Sequence, residues 1–412
     1  MELLEKDLIH DWNVDGGAPV PARPKVDLND ETLRDGLQSP SVRTPPVERK
    51  LEVLHRLAEI GIDALDIGLP GAGPHVQRDV LRLAREIVDA GLKISPNCAA
   101  RTLEADIRPI AEISQQAGVA IEAACFLGSS PIRQYAEGWE MERMLGLVRD
   151  AVGFAVREGL PVMFVTEDTT RARPEDLRRL YTEAVEAGAR RVCIADTVGH
   201  ATPQGTRAVV SFIRGVVDAT GEEVAIDWHG HNDRGLAIAN CIAAVEGGAD
   251  RIHGTILGVG ERVGNAQLDQ ILVNFELIGW SRRNVEPLAG LCALVSQATG
   301  VSIHDGYPVV GRDAFRTQTG VHAAAILKAK AKGDTWLADR IYSGIPAAMV
   351  GRAQEVEIGP MSGQANVFCW LDARGIERDP ELVQAILQAA KVSDATLAED
   401  EVLALCRSRS RA

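Results

Sequence analysis

With 412 residues, 46% of them hydrophobic, the chain can bury more than one average domain, enough for an α/β barrel plus an appendage. A net charge of −14, from 58 acidic against 44 basic residues, and an aromatic share of 4% argue against a nucleic-acid surface, a base-stacking platform or an anionic membrane as partner. The seven cysteines are scattered without a C-x-x-C pair, and neither a signal pattern nor a bilayer-length apolar run is present, so a soluble cytoplasmic protein with reduced thiols is expected.

Residues 1–24, with Gly16-Gly17 and three prolines from Pro19 to Pro24, read as an N-terminal arm. Short apolar runs then alternate with amphipathic stretches. Strands are predicted near Lys25–Asn29, Ala64–Leu69, Lys93–Asn97, Ala120–Phe126, Val162–Thr166, Arg191–Ala195, Val224–Trp228 and Arg251–Ile256. Helical patterns between them include Glu48–Ile60, Val76–Ala90, Glu140–Glu158, Glu175–Ala187 and Gln204–Asp218. Eight strands in regular alternation with helices predict a (β/α)8 TIM barrel over residues 25–284. After Gly279 the rhythm stops. Residues 285–412 read as a smaller, mainly helical C-terminal appendage, with helices at Glu286–Gly300 and Ala323–Lys332 and a helical tail from Pro380.

Chemistry in such a barrel sits at the C-terminal ends of its strands. Those ends hold Thr32-Leu33-Arg34-Asp35-Gly36 and His229-Gly230-His231. Residues two apart on a strand point to one side, so His229 and His231 can aim both imidazoles at one point, with Gly230 leaving room for a ligand between them. Asp35 can add a carboxylate oxygen. Two His and one Asp suit a divalent ion with open positions (Mg²⁺, Mn²⁺, Co²⁺ or Zn²⁺), against the plainer reading of two structural histidines.

Other residues on the rim have two readings each. Arg34 can stabilise negative charge on a substrate oxygen or pair with Asp30 or Glu31. Gln38 can bond the same substrate. Glu167 and Asp168 can move protons or begin a helix, and the Thr197 hydroxyl can hold a carboxylate or cap a helix. Asn265 closes a glycine-rich loop, Gly258 to Gly264, on the same rim.

These segments, with Gly311 to Phe315, Thr319 to His322, Tyr342 and Gly359 to Gly363 beyond the barrel, resemble the isopropylmalate, homocitrate and citramalate synthases. The resemblance implies a metal-dependent Claisen condensation of acetyl-CoA with a 2-oxo acid, 2-isopropylmalate synthase-like before homocitrate synthase-like. It assigns Asp35, His229, His231 and Asn265 to the metal, and Arg34, Glu167, His322 and Tyr342 to catalysis, His322 coming from the partner of a homodimer. Gln38, Arg101, Arg133 and Thr197 are the substrate-binding candidates. Arg133 lies in a segment, Ser129 to Tyr135, like the one that grips the distal carboxylate of 2-oxoglutarate, whereas Asn97 to Arg101 lacks the histidine of lysine-pathway homocitrate synthases.

Glu31 stands where the family often has a threonine. A related lyase would use a cysteine in the glycine-rich loop, and none is present there. A non-catalytic binding protein would have lost an acid or a ligand, and every expected one remains. The long C-terminal domain that binds leucine in many isopropylmalate synthases is expected to be missing, and leucine inhibition with it.

Overall fold

A computed structural model describes residues 8–15 and 26–409, so most of the expected N-terminal arm lies outside the described residues. Eight parallel strands, β1 (Asp27–Asp30), β2 (Ala64–Asp66), β3 (Ser95–Arg101), β4 (Glu122–Gly128), β5 (Val162–Glu167), β6 (Arg191–Asp196), β7 (Ala225–Gly230) and β8 (Arg251–Gly254), pair in sequence order. The barrel closes by pairing β8 with β1, in register from Asp27 opposite Arg251 to Asp30 opposite Gly254.

A helix follows each strand, and the local chemistry sets its limits. Pro74, Pro174 and Pro203 open their helices in the first turn, where a backbone N–H would have no helical acceptor. Gly61, Gly118, Gly248 and Gly279 end theirs in the left-handed conformation, which costs glycine no Cβ clash. The predicted second strand is longer than β2. The chain leaves the sheet after Asp66, whose Oδ1 accepts a hydrogen bond from Gly68 N at 3.1 Å.

Period-two alternation then divides the strand residues between two environments. Phe164 of β5 meets the ring of Tyr181 edge-on at 5.9 Å, in the helix Pro174–Glu186. Residues of the other parity meet inside the barrel, where Ala124, Met163 and Cys193 form a small apolar cluster with Val165 against it. Below that cluster the interior is charged, as described in the next section.

The chain divides into two compact units. One runs to Asn284 and includes Leu291–Val301; the other takes Val285–Gly290 and Ser302 onward. The expected boundary at 284/285 differs from this division by the segment Leu291–Val301, which is tied to the barrel unit where Arg43 N donates to Thr299 O at 2.8 Å. The second unit contains the helices Gly320–Ala331, Gln364–Asp372, Pro380–Val392 and Glu399–Arg409, with a short parallel pair, Arg316–Thr317 beside Glu355–Val356. Val367, Trp370, Leu371, Val383, Ile386 and Val402 are among its buried core. Among the described residues no helix is long and apolar enough to cross a membrane, and all seven cysteines are free thiols.

Arg283 ties the ends of the barrel unit together. Its guanidinium donates to Val26 O and Gly61 O, both at 2.9 Å, and pairs with Asp63, which itself accepts from Leu28 N at 2.9 Å. Removing one member of a buried ion pair leaves the other charge uncompensated. Arg283→Ala is therefore expected to lower unfolding stability by about 3 kcal/mol, measured by urea denaturation followed by far-UV circular dichroism.

Candidate active site

The turn after β1 is built on hydrogen bonds between near neighbours. Thr32 donates from N and from Oγ1 to the Asp30 carboxylate, at 2.9 and 2.8 Å, while its Oγ1 accepts from Ile256 N at 2.8 Å. Burial raises the Asp30 carboxyl to about 7. With that turn fixed, Glu31, Arg34 and Asp35 all reach the mouth of the barrel.

The Arg34 guanidinium is held by carboxylates. Nε donates to Asp66 at 2.6 Å and Nη1 to Asp35 at 2.8 Å, whereas Nη2 reaches only Glu31, at 3.5 Å. The expected alternative partner Asp30 is replaced by Asp66, whose carboxyl burial raises to about 6 even against the pull of Arg34. Arg34 is thus oriented, with donor capacity left on Nη2.

Asp35, His229 and His231 bring ligand atoms within 4.8 Å of one another. The Asp35 carboxyl is lowered: burial pushes it up, and Arg34 and His229 outweigh that push. Burial and the neighbouring His229 bring His231 down to about 4, so its imidazole is neutral at pH 7, the form that can coordinate a metal. Two buried atoms here lack a hydrogen-bond partner: His231 Nδ1 and Asn265 Oδ1. Asn265 Nδ2 donates to Asp35 Oδ2 at 2.6 Å, which places its amide beside the carboxylate. Lone pairs without partners, a neutral imidazole and an ionised carboxylate fit a divalent cation.

The Gly258–Gly264 loop makes that placement of Asn265 possible. A Cβ on Gly260 would sit 2.3 Å from Asn265 Nδ2. One on Gly264, at φ +88°, would sit 1.8 Å from Gly258 O. Gly230 has a different task from the one expected. It faces away from the imidazoles, and a Cβ there would meet the Trp228 ring at 3.1 Å, so this glycine serves packing and leaves the ligand space to others.

Four residues that the sequence reading assigned no role stand behind the ligands. His229 Nδ1 lies 2.7 Å from Glu31 Oε2, and Glu31 Oε1 lies 2.9 Å from His253 Nδ1. His253 Nε2 lies 2.8 Å from Asp227, which also accepts from Arg191 Nη1 at 2.7 Å and Arg251 Nε at 2.6 Å. Burial would raise the Glu31 carboxyl, but His229 and His253 hold it well below the usual range. Burial would lower His253, but Glu31 and Asp227 raise it to about 9.

Asp35, His229 and His231 open on a cavity of about 320 Å³. Its walls add Gln38, Glu167 and Thr197 to the polar set and Leu69, Ala99, Ala124, Phe126, Met163 and Val165 to the apolar one. Thr197 Oγ1 accepts from Asp168 N at 2.8 Å, which leaves the hydroxyl proton for another acceptor. The Asp168 carboxylate itself is committed to Ser130 and Arg171. Cys193 also lines the cavity, with its thiol pushed far up by burial and therefore uncharged.

Two expected substrate residues do not line this cavity. Arg101 makes a two-pronged pair with Asp106, at 2.7 and 2.8 Å, and is largely exposed. Arg133 lies between Glu137 at 3.1 Å and Glu167 at 3.2 Å, so it touches the cavity only through Glu167. Burial raises the Glu167 carboxyl even with Arg133 opposing. His322 and Tyr342 belong to the second unit, where their rings stack at 3.8 Å and Thr317 Oγ1 lies 3.3 Å from His322 Nδ1.

An N/O ligand set at the C-terminal rim of a TIM barrel, under a glycine-rich loop, defines the class of metal-assisted barrel enzymes. The chain belongs to the HMGL-like family, whose profile matches residues 25–295. It is 35% identical to a homocitrate synthase of Methanopyrus kandleri, over 89% of this chain and 87% of the relative. A probable 2-isopropylmalate synthase of the same organism is 33% identical, over 89% of this chain and 69% of the relative. Among solved structures, the HMG-CoA lyase of Bacillus subtilis matches with a TM-score of 0.57 and 20% identity, over 67% of this chain and 94% of that one, a likeness of fold.

Gly264→Ala forces the loop to rebuild and moves Asn265 from Asp35. Because the loop lies on the rim, thermal unfolding is expected to change by a few degrees only, while Mn²⁺ binding measured by calorimetry falls at least about tenfold.

Proposed function

We propose that the chain is an acyltransferase that condenses acetyl-CoA with a 2-oxo acid carrying an apolar side chain, releasing CoA, in the manner of a 2-isopropylmalate synthase. The relatives support the reaction class, but their names span more than one 2-oxo acid. The single observation that carries the choice of acid is the cavity wall. Leu69, Ala99, Ala124, Phe126, Met163 and Val165 offer apolar contact, and both arginines lining the cavity are already engaged, Arg34 by Asp66 and Asp35, Arg262 by Asp233 and Thr197 O. A second substrate carboxylate would be buried there without a free cation, which is costly.

In this reading Asp35, His229 and His231 hold a divalent ion, with Asn265 beside them, and the bound ion supplies Lewis-acid polarisation of the keto group. The Thr197 hydroxyl donates its free proton to the substrate carboxylate. Arg34, fixed by Asp66 and Asp35, offers Nη2 to the oxygen on which negative charge develops. The acetyl methyl is a weak acid, so a base must take its proton as the carbon attacks. Glu167 is the carboxylate at the cavity wall that can do so, its raised proton affinity matching the task. His322 and Tyr342 of a second copy are assigned to the same transfer, as the family resemblance implies for a homodimer.

Thiol release from acetyl-CoA in the presence of Mg²⁺ or Mn²⁺ tests this reading. The expected result is a kcat/KM for 2-oxoisovalerate at least about a hundredfold above that for 2-oxoglutarate. A preference for 2-oxoglutarate would overturn the apolar reading. Removal of metal with EDTA is expected to abolish release and added Mn²⁺ to restore it. His231→Ala and His322→Ala should each be inactive, and mixing the two unfolded and refolded together should regain activity, because a hybrid dimer contains one complete site. Failure of the mixture would remove the second copy from the mechanism.

A further inference from the structure

The described residues contain two sets that bring three candidate ligand atoms within 4.8 Å: Asp35, His229 and His231, and, sharing His229, Glu31, His229 and His253. The second set is internally satisfied. The His253 ring lies between two carboxylates, with Nδ1 2.9 Å from Glu31 and Nε2 2.8 Å from Asp227. A carboxylate oxygen can only accept, so both ring nitrogens must donate, and His253 is an imidazolium with no lone pair for a metal. The Glu31 oxygens are divided between the two imidazoles. By the same rule His229 must donate from Nδ1, which leaves its Nε2 with the lone pair.

We infer that Glu31 and His253 form a positioning pair for His229: Glu31 holds the imidazole in the tautomer whose Nε2 faces the Asp35–His231 side, and His253, clamped by Asp227, holds Glu31. This extends the metal-site reading above and rests on it. The pair is connected below to a closed network. Asp227 accepts from Arg191 and Arg251, and these two reach Glu122 at 3.2 and 2.7 Å. Three carboxylates thus face three cations, and Glu31, buried and 198 residues from His229 in the chain, has no other cation as close as His253. A carboxylate behind a metal-bound imidazole fixes its orientation and raises its basicity. The role is one of orientation: neither Glu31 nor His253 contacts the substrate in this assignment.

The test uses the full-length protein. In the wild type, freed of metal with chelator and labelled with ¹⁵N-histidine, His229 is expected as the Nδ1–H tautomer with a strongly downfield proton, and His253 with both nitrogens protonated. Glu31→Gln keeps the size and an acceptor but removes the charge. It is expected to weaken Mn²⁺ binding, followed by calorimetry, about ten- to a hundredfold with the fold retained by circular dichroism. A purely structural role would lower the melting temperature and leave the affinity unchanged, and that result would overturn the inference. So would an Nε2–H tautomer at His229 in the wild type, a measurement that needs no variant to fold. Wild-type protein that binds no Mn²⁺ overturns it as well. If the protein binds Mn²⁺, Glu31→Gln weakens it, and no 2-oxo acid releases thiol, the positioning pair stands and the proposed reaction falls.

Discussion

Charge taken into the middle of a barrel loses most of its solvation, and the only compensation available is another charge or a hydrogen bond at close range. Here Glu122, Asp227 and Glu31 face Arg191, Arg251 and His253 along the interior, each within hydrogen-bonding distance of the next. The constraint shapes the rest of the barrel unit. It confines the apolar interior to the small cluster of Ala124, Met163 and Cys193, and it leads directly to His229 at the rim. The outer layer, where Phe164 packs on Tyr181, supplies the hydrophobic burial that the interior gives up.

At the mouth the same economy of partners decides what remains available. Arg34 has its Nε and Nη1 engaged, Thr197 has its lone pair engaged by Asp168 N, and Asp168 is held by Ser130 and Arg171. What is left over is specific: a hydroxyl proton on Thr197, donor capacity on Arg34 Nη2, and unpartnered atoms on His231 and Asn265. Those groups converge on one cavity with an apolar wall. The glycines at 260 and 264 are as necessary as the polar residues, because a Cβ at either would displace Asn265 or the loop that carries it.

Kinship leaves the choice of acid to this cavity. Relatives named for different products have closely similar identities to this chain, 35% and 33%. The Bacillus subtilis lyase shares the fold at 20% identity, which says nothing of direction or substrate.

The alternation of strands and helices was readable in the sequence because hydrophobic period is a local property, and so was the pairing of His229 with His231, since a strand repeats every two residues. Asp35 was readable from its place after a strand. Arg101 and Arg133 were misread as facing substrate: their charge is visible in the sequence, but the acids that hold them, Asp106 and Glu167, are found only by the turn of a helix and the neighbouring strand. Gly230 was misread because its neighbour Trp228 fills the space on its own side of the strand. Glu31, Asp66, Asp227 and His253 carried no local signal at all. Glu31 and His253 are 222 residues apart, and closure of β8 onto β1 makes them neighbours. The sequence by itself thus determined the elements and the three residues that face a metal, through periods of two and of 3.6. Only the tertiary structure decided which charges are spent on each other and which remain for chemistry, because that depends on distances across the barrel.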